Sequence, residues 1–186
     1  MGNLNSVKKI PILETDRLIL REPSLKDVDD IFEYASDMDV NTFMPWDVHK
    51  SKDETRDFLE KSNEIFKSSD NIDWMIELKS EKKVVGAISI REWNDQNKCA
   101  DVGYVLAKKY WKKGISTEAL RIVIKYGFEK LDVNRVEAHC DEENIGSYKV
   151  MEKAAMKYEG TMRQKILVKN KFVNMKIYSI LRSDFK

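Results

Sequence analysis

Glycine, proline and cysteine are all scarce in this chain of 186 residues, at 7, 3 and 2 copies. Cys99 and Cys140 form no Cys-x-x-Cys or Cys/His spacing, which argues against a zinc knuckle or a disulfide framework and reads as a reduced intracellular pair. No stretch has the composition of a flexible linker, none repeats, and no apolar run reaches the length of a signal core or a membrane span. Charge of one sign is missing too. The 33 Lys plus Arg against 32 Asp plus Glu give a net +1, too little for the global field that draws proteins onto nucleic acid. Phosphate-loop and dinucleotide patterns are absent, since Gly114 is followed by Ile115, Ser116 and Thr117 and no Gly-x-Gly-x-x-Gly occurs. The reading is one domain over residues 1–186 with a loosely ordered start over 1–12. It expects a cytoplasmic monomer or homodimer with no metal, no nucleic-acid partner and no membrane partner.

What is present is periodicity. Alternating apolar positions predict strands over residues 17–22, 72–79, 84–91, 101–106, 135–140, 162–168 and 174–181. Helical spacing predicts helices over 27–36, 51–67, 116–130 and 144–155. In the third helix Leu120, Val123, Ile124 and Phe128 form one apolar stripe, as expected of a helix packed on a sheet. An antiparallel meander followed by β-α-β crossovers implies an α/β (α+β) fold: a mixed, mostly antiparallel sheet of about seven strands with helices on both faces.

The segment over 102–119, VGYVLAKKYWKKGISTEA, joins a strand to a helix through a short basic loop. Free N–H groups and the positive helix end converge near Ser116, Lys108, Lys109, Lys112 and Lys113 flank it, and Gly114 permits close backbone approach or a positive φ. This is the chemistry of an anion site. The same lysines also suit a solvated surface, with Gly114 only shaping a turn, and loop physics leaves both open.

Gly103-Tyr104-x-Leu106, then Tyr110-Trp111-x-Lys113-Gly114-x-x-Thr117-Glu118-Ala119, resembles the acetyl-coenzyme A signature of the GNAT acetyltransferases. The nearest resemblance within that family is to the ribosomal-protein N-terminal alanine and serine acetyltransferases. Thr15-Asp16-Arg17-Leu18-x-Leu20-Arg21, Val85-Gly86-x-Ile88, Asn134-Arg135-Val136-x-Ala138 and Asn144-x-x-Ser147-x-x-Val150-x-Glu152-Lys153 extend the likeness over most of the chain. The resemblance implies a sheet splayed between its fourth and fifth strands, with acetyl-CoA wedged into the gap as cosubstrate. It assigns cofactor contacts to Val105, Leu106, Trp111, Lys112, Lys113, Gly114, Ile115, Ser116, Thr117, Asn144, Ser147 and Lys153. Trp111 and Ser116 depart from the family's usual loop residues.

Acetyl transfer needs a neutral amine, a stabilised carbonyl oxygen and a proton for the departing thiolate. The resemblance places a backbone N–H near Val105 on the thioester oxygen. Many members protonate the thiolate with a tyrosine where this chain has Met151; in the resembled subfamily a serine takes that role, here Ser147. The subfamily's glutamate falls at Ile166 in an ungapped count, so Asp101 becomes the first candidate base, with Asp141, Glu142 and Glu143 as acidic neighbours of an acceptor mouth. Trp46, Trp93 and Tyr104 are the candidate acceptor contacts. His49 and His139 stand alone at the level of spacing and read as surface or strand histidines. Neither cysteine falls where the resemblance puts the thioester, so a ping-pong route lacks a nucleophile. The expected reaction is direct transfer to a primary amine in a ternary complex. The acceptor class leans to a peptide α-amine. Two alternatives are a polyamine, aminoglycoside or other amine antibiotic, and a non-catalytic acetyl-CoA-binding module.

Overall fold

The computed structural model describes residues 10–68, 71–94 and 96–185, with the backbone alone over 63–68. Residues 1–9 of the start expected to be loosely ordered lie outside the described residues. Ile10 is buried, and the Pro11 carbonyl accepts the Trp74 indole N–H at 2.8 Å.

Among the described residues, eight strands, β1 (Leu13–Glu14), β2 (Leu18–Arg21), β3 (Ile72–Leu78), β4 (Lys83–Asn94), β5 (Cys99–Leu106), β6 (Arg135–Asp141), β7 (Lys157–Val168) and β8 (Lys171–Leu181), form one sheet. Their order is β1-β2-β3-β4-β5-β6-β8-β7, antiparallel throughout except for β5 and β6. Around them run α1 (Val28–Ala35), α2 (Met38–Asn41), α3 (Lys52–Ser68), α4 (Ile115–Lys130) and α5 (Ile145–Lys153). The seven expected strands are present. β1 and α2 are additional, and both are too short to carry a period. β7 starts earlier than its alternation suggested, because bulges at Tyr158/Gly160 and Met162/Ile166 break the pattern.

One rung decides the architecture. β5 and β6 pair only over Cys99–Asp101 against Arg135–Glu137, so residues 102–106 of β5 have no strand neighbour on the β6 side. On the other side β4 holds β5 in register from Arg91↔Asp101 to Gly86↔Leu106. Gly86 is required there, because a Cβ would stand 2.3 Å from the Val105 carbonyl oxygen. Ala107 N–H continues the attachment by donating to the Val85 carbonyl at 2.8 Å. The splay is therefore a strand drawn tightly to one neighbour and released by the other.

Strand alternation assigns the two faces of the gap. Trp74, Ile88, Tyr104, Ala138 and Tyr178 share the face carrying α4 and α5. Trp74 meets Tyr126 edge-on at 5.6 Å, and Tyr178 stacks on Tyr148 at 6.4 Å. The α4 stripe of Leu120, Val123, Ile124 and Phe128 is buried against this face, as its spacing predicts. Asp101, Arg91, Ser89 and His139 project to the opposite face.

Candidate active site

Where β5 ends, the chain turns through Lys108–Tyr110 and enters α4. Gly114 is the N-cap at φ 75°, ψ 5°, with no side chain capping the helix, so its first N–H groups are left to an external acceptor. A Cβ on Gly114 would meet only an Arg17 nitrogen at 3.6 Å, so the left-handed backbone, and not crowding, asks for glycine. Lys112 shares that region at φ 61°. Ile115 and Ser116 are buried, and the Trp111 indole ties the loop to β5 by donating to the Leu106 carbonyl at 2.8 Å.

The four lysines divide. Lys108 is paired with Asp39 and Lys109 lies 3.6 Å from Glu81, which leaves Lys112 and Lys113 beside the uncapped helix end. Glu118 in the first turn of α4 would repel an anion, but two residues from the β1–β2 turn hold it away. Arg17 donates to Glu118 Oε2 at 2.7 Å and to the Lys113 carbonyl at 3.0 Å, while Thr15 Oγ1 donates to Oε1 at 2.5 Å. Burial alone would raise the Glu118 carboxyl, but these bonds hold it below the usual range. Spacing did not mark Arg17 or Thr15, which lie about a hundred residues from α4 in sequence; the quoted motif that contains them was the available signal.

On the α5 side of the gap, Asn144 caps the helix by accepting from Ser147 N–H at 3.1 Å. The Ser147 hydroxyl lies 3.0 Å from the Tyr104 hydroxyl, which also donates to the Ser147 carbonyl at 2.9 Å. Tyr104 thus stands beside the serine. Burial pushes its phenol well above the ordinary range, so it is a neutral donor. Cys140, expected away from the thioester, has its thiol in hydrogen-bonding reach of Ser147, and burial pushes that thiol up to about 11. Met151 is buried, while the Lys153 carbonyl accepts from Arg121 at 2.6 Å and joins α5 to α4.

Across the sheet, Asp101, the first candidate base, has a partner that spacing did not mark. Its Oδ2 lies 2.7 Å from His139 Nδ1, and His139 Nε2 lies 3.9 Å from Glu137 Oε2. The bond from Asp101 raises the imidazolium above its ordinary value, against the opposing effect of burial. Glu137 is held by Arg135 at 2.6 Å, and Arg135 also forks onto Glu159 at 2.6 and 2.7 Å. His139 stands on a strand, as expected, and His49 is neither on a strand nor at the surface, but both have partners. His139 has Asp101, and His49 is buried with its Nδ1 2.9 Å from Thr55 Oγ1. The detectable signal was the alternation of Glu137, His139 and Asp141 on one face of β6; what sequence could not supply was the β5–β6 register.

Trp46 packs on His49 at 5.5 Å, and its carbonyl accepts from Asn41 Nδ2 at 2.6 Å. Lys169, at the tip of the β7–β8 hairpin, donates to the Asn41 carbonyl at 2.8 Å, so the hairpin and α2 meet above the sheet. Trp93 lies within the bulge between Arg91 and Asn94, at the end of the sheet where β5 and β6 still pair. Asp141, Glu142 and Glu143 line a depression of about 200 Å³ with Gln164, Lys171 and Phe172.

An anion-ready helix start, a strand edge free to bond amide groups and a hydroxyl set across the gap fit a ligand that carries a pyrophosphate, an amide arm and a thioester. The chain belongs to the GNAT acetyltransferases: the model of the Acetyltransferase (GNAT) domain matches residues 17–157. It is 30% identical to the uncharacterized N-acetyltransferase YnaD of Bacillus subtilis (strain 168) over 174 residues, covering 93% of this chain and 98% of that protein. The crystal structure of a GNAT-family acetyltransferase from Bacillus anthracis superposes with a TM-score of 0.81 at 31% identity, covering 93% of this chain and 99% of the other. Two further structures share the fold. One is a ribosomal-protein-S5-alanine acetyltransferase from Vibrio fischeri, with TM-score 0.78, 20% identity and coverage of 95% and 99%. The other is a spermidine N-acetyltransferase from Vibrio cholerae in complex with CoA and spermine, with TM-score 0.77, 19% identity and coverage of 92% and 99%. The protein is an acetyl-CoA-dependent N-acetyltransferase of GNAT type.

Proposed function

We propose that the chain acetylates the α-amine of a peptide or protein N-terminus by direct attack on acetyl-CoA in a ternary complex. The observation that carries this reading is the division of the gap: a hydroxyl pair, Ser147 and Tyr104, on the α5 face, and an anionic cluster around Asp101 on the other. The 112–117 loop holds the cofactor phosphates, with Lys112, Lys113 and the first N–H groups of α4 as donors. The free edge of β5 near Val105 and Leu106 holds the pantetheine arm, and Trp111, Asn144 and Lys153 frame it. Ser147 supplies hydrogen bonding to the departing thiolate, and Tyr104 holds it in place, its phenol donating to the Ser147 carbonyl with the two hydroxyls 3.0 Å apart.

The acceptor class follows from proton affinity. An α-amine with a pKa of about 7.7 to 8.0 is already about a tenth neutral at pH 7, whereas a lysine-type amine near about 10.4 is almost wholly charged. Asp101, the first candidate base, is turned onto His139 and is not a free carboxylate. One observation favours a second reading. The depression lined by Asp141, Glu142 and Glu143 suits a polycation, so a polyamine acceptor is kept as the alternative.

The test is thiol release from acetyl-CoA with Ala- and Ser-starting peptides, spermidine, an aminoglycoside and an N-terminally blocked lysine peptide. The reading expects turnover with the first two. Efficient turnover of spermidine with none of either peptide overturns the acceptor assignment and selects the alternative.

A further inference from the structure

The last rung shared by β5 and β6 is Asp101↔Glu137, and His139 stands two residues beyond it on β6, in the first row where the strands have parted. Its neighbour Cys140 points the other way, toward Ser147. One row of the gap therefore carries an imidazole on one face and a hydroxyl with a thiol on the other. A carboxylate at Nδ1 fixes the neutral imidazole as the tautomer with its lone pair on Nε2. Nε2 accepts no hydrogen bond among the described residues, and the two side chains keep 28% and 24% of their exposure, so a substrate can reach them.

We infer that His139 is the catalytic base of the transfer, receiving the proton of the attacking amine on Nε2, with Asp101 as the positioning residue that orients the ring. This deepens the transferase reading above and rests on it. In the step, the amine nitrogen forms a bond to the thioester carbonyl carbon, the carbon–sulfur bond breaks, and the electron pair leaves on sulfur. One proton passes from nitrogen to Nε2. One is delivered to sulfur from the Ser147 hydroxyl, which regains it from solvent as the imidazolium releases its own. Amine and acetyl-CoA become amide and CoA thiol, with no other reactant. Glu137, 3.9 Å from Nε2, stabilises the imidazolium once it forms.

The charges facing the ring are Asp101 on β5, Glu137 on its own strand and Glu92 on β4, with Arg91 on β4 directly across from Asp101; β8 presents the uncharged Ile177. The balance is anionic and favours the protonated ring, so turnover must rise with pH as the imidazolium loses its proton. Replacing Asp101 with the neutral Asn removes the largest stabiliser of the cation, so the midpoint of that limb must move to lower pH.

The experiment follows thiol release from acetyl-CoA with an Ala-starting peptide, a Ser-starting peptide and spermidine from about pH 5 to 9, alongside calorimetric binding of CoA. Expected for His139→Gln is a loss of about 100-fold in kcat and loss of the low-pH limb, with CoA affinity within about 2-fold of the parent. Expected for Asp101→Asn is a smaller loss with the limb moved to lower pH, and for His139→Ala partial rescue by added imidazole. A His139→Gln enzyme that keeps its turnover and its limb overturns the inference and leaves the transferase reading standing. Silence of the parent with all three amines overturns both. Should His139→Gln lose its fold, the Asp101→Asn profile decides alone, and an unmoved limb is the contradicting result.

Discussion

The loop proposed to hold the cofactor phosphates lies in one continuous stretch of chain, from Gly103 to Ala119, that needs a left-handed residue at Gly114 and an uncapped helix start. The proposed acceptor side is assembled from separate elements, with Lys169 bonding Asn41 beside Trp46 and Asp101 bonding His139, contacts that form only when the sheet is complete. The two regions stand back to back across a few strand residues. A site written in local backbone conformation fails through a single dihedral angle. A site written in tertiary register fails when a strand or hairpin shifts, and its members fail separately.

That contrast can be broken in four ways, from largest to smallest effect. Ser147→Ala removes the hydroxyl proposed to protonate the departing sulfur and is expected to lower kcat on the order of 100-fold, with CoA affinity unchanged by calorimetry. Gly114→Val forces a β-branched residue to φ 75° and is expected to weaken CoA binding about 30-fold, or ~2 kcal/mol, with little effect on kcat at saturating cofactor. Arg17→Ala releases Glu118 toward the phosphate loop. Because Arg17 keeps 46% of its exposure, the expected rise in KM for acetyl-CoA is only about 5-fold, or ~1 kcal/mol, and it grows at low ionic strength. Lys169→Met loosens the hairpin from α2 and is expected to raise the acceptor KM by about 2-fold, leaving CoA binding and kcat unmoved. A Lys169→Met enzyme that also lost CoA affinity would show the two sides to be coupled.

The same contrast explains what the sequence made legible. The helix stripe of Leu120, Val123, Ile124 and Phe128, the strand alternation of Val84 to Ile90 and the Gly114 turn are short-range patterns, and each is realised where its spacing put it. The splay rests on pairing that stops after Asp101, for which Gly86 is the one local trace. His139 looked solitary because its partner lies 38 positions away on a parallel neighbour. The motif marks Tyr104 but not its surroundings, which depend on α5 bringing Ser147 to it. Lys169 and Asn41, 128 positions apart, share no pattern that a one-dimensional reading detects.

Direct transfer is the central claim, and Cys140 beside Ser147 gives it a sharp alternative, since a thiol at that place could first take the acetyl group itself. A thiol held up to about 11 is almost wholly protonated near neutral pH and a poor nucleophile. The decisive measurement is intact-protein mass, with thiol release followed in parallel, after mixing the enzyme with acetyl-CoA before and after adding an amine. The account predicts unmodified protein and thiol release only once the amine is present. A burst of thiol equal to the enzyme, with one acetyl group on Cys140 before any amine is added, would contradict it.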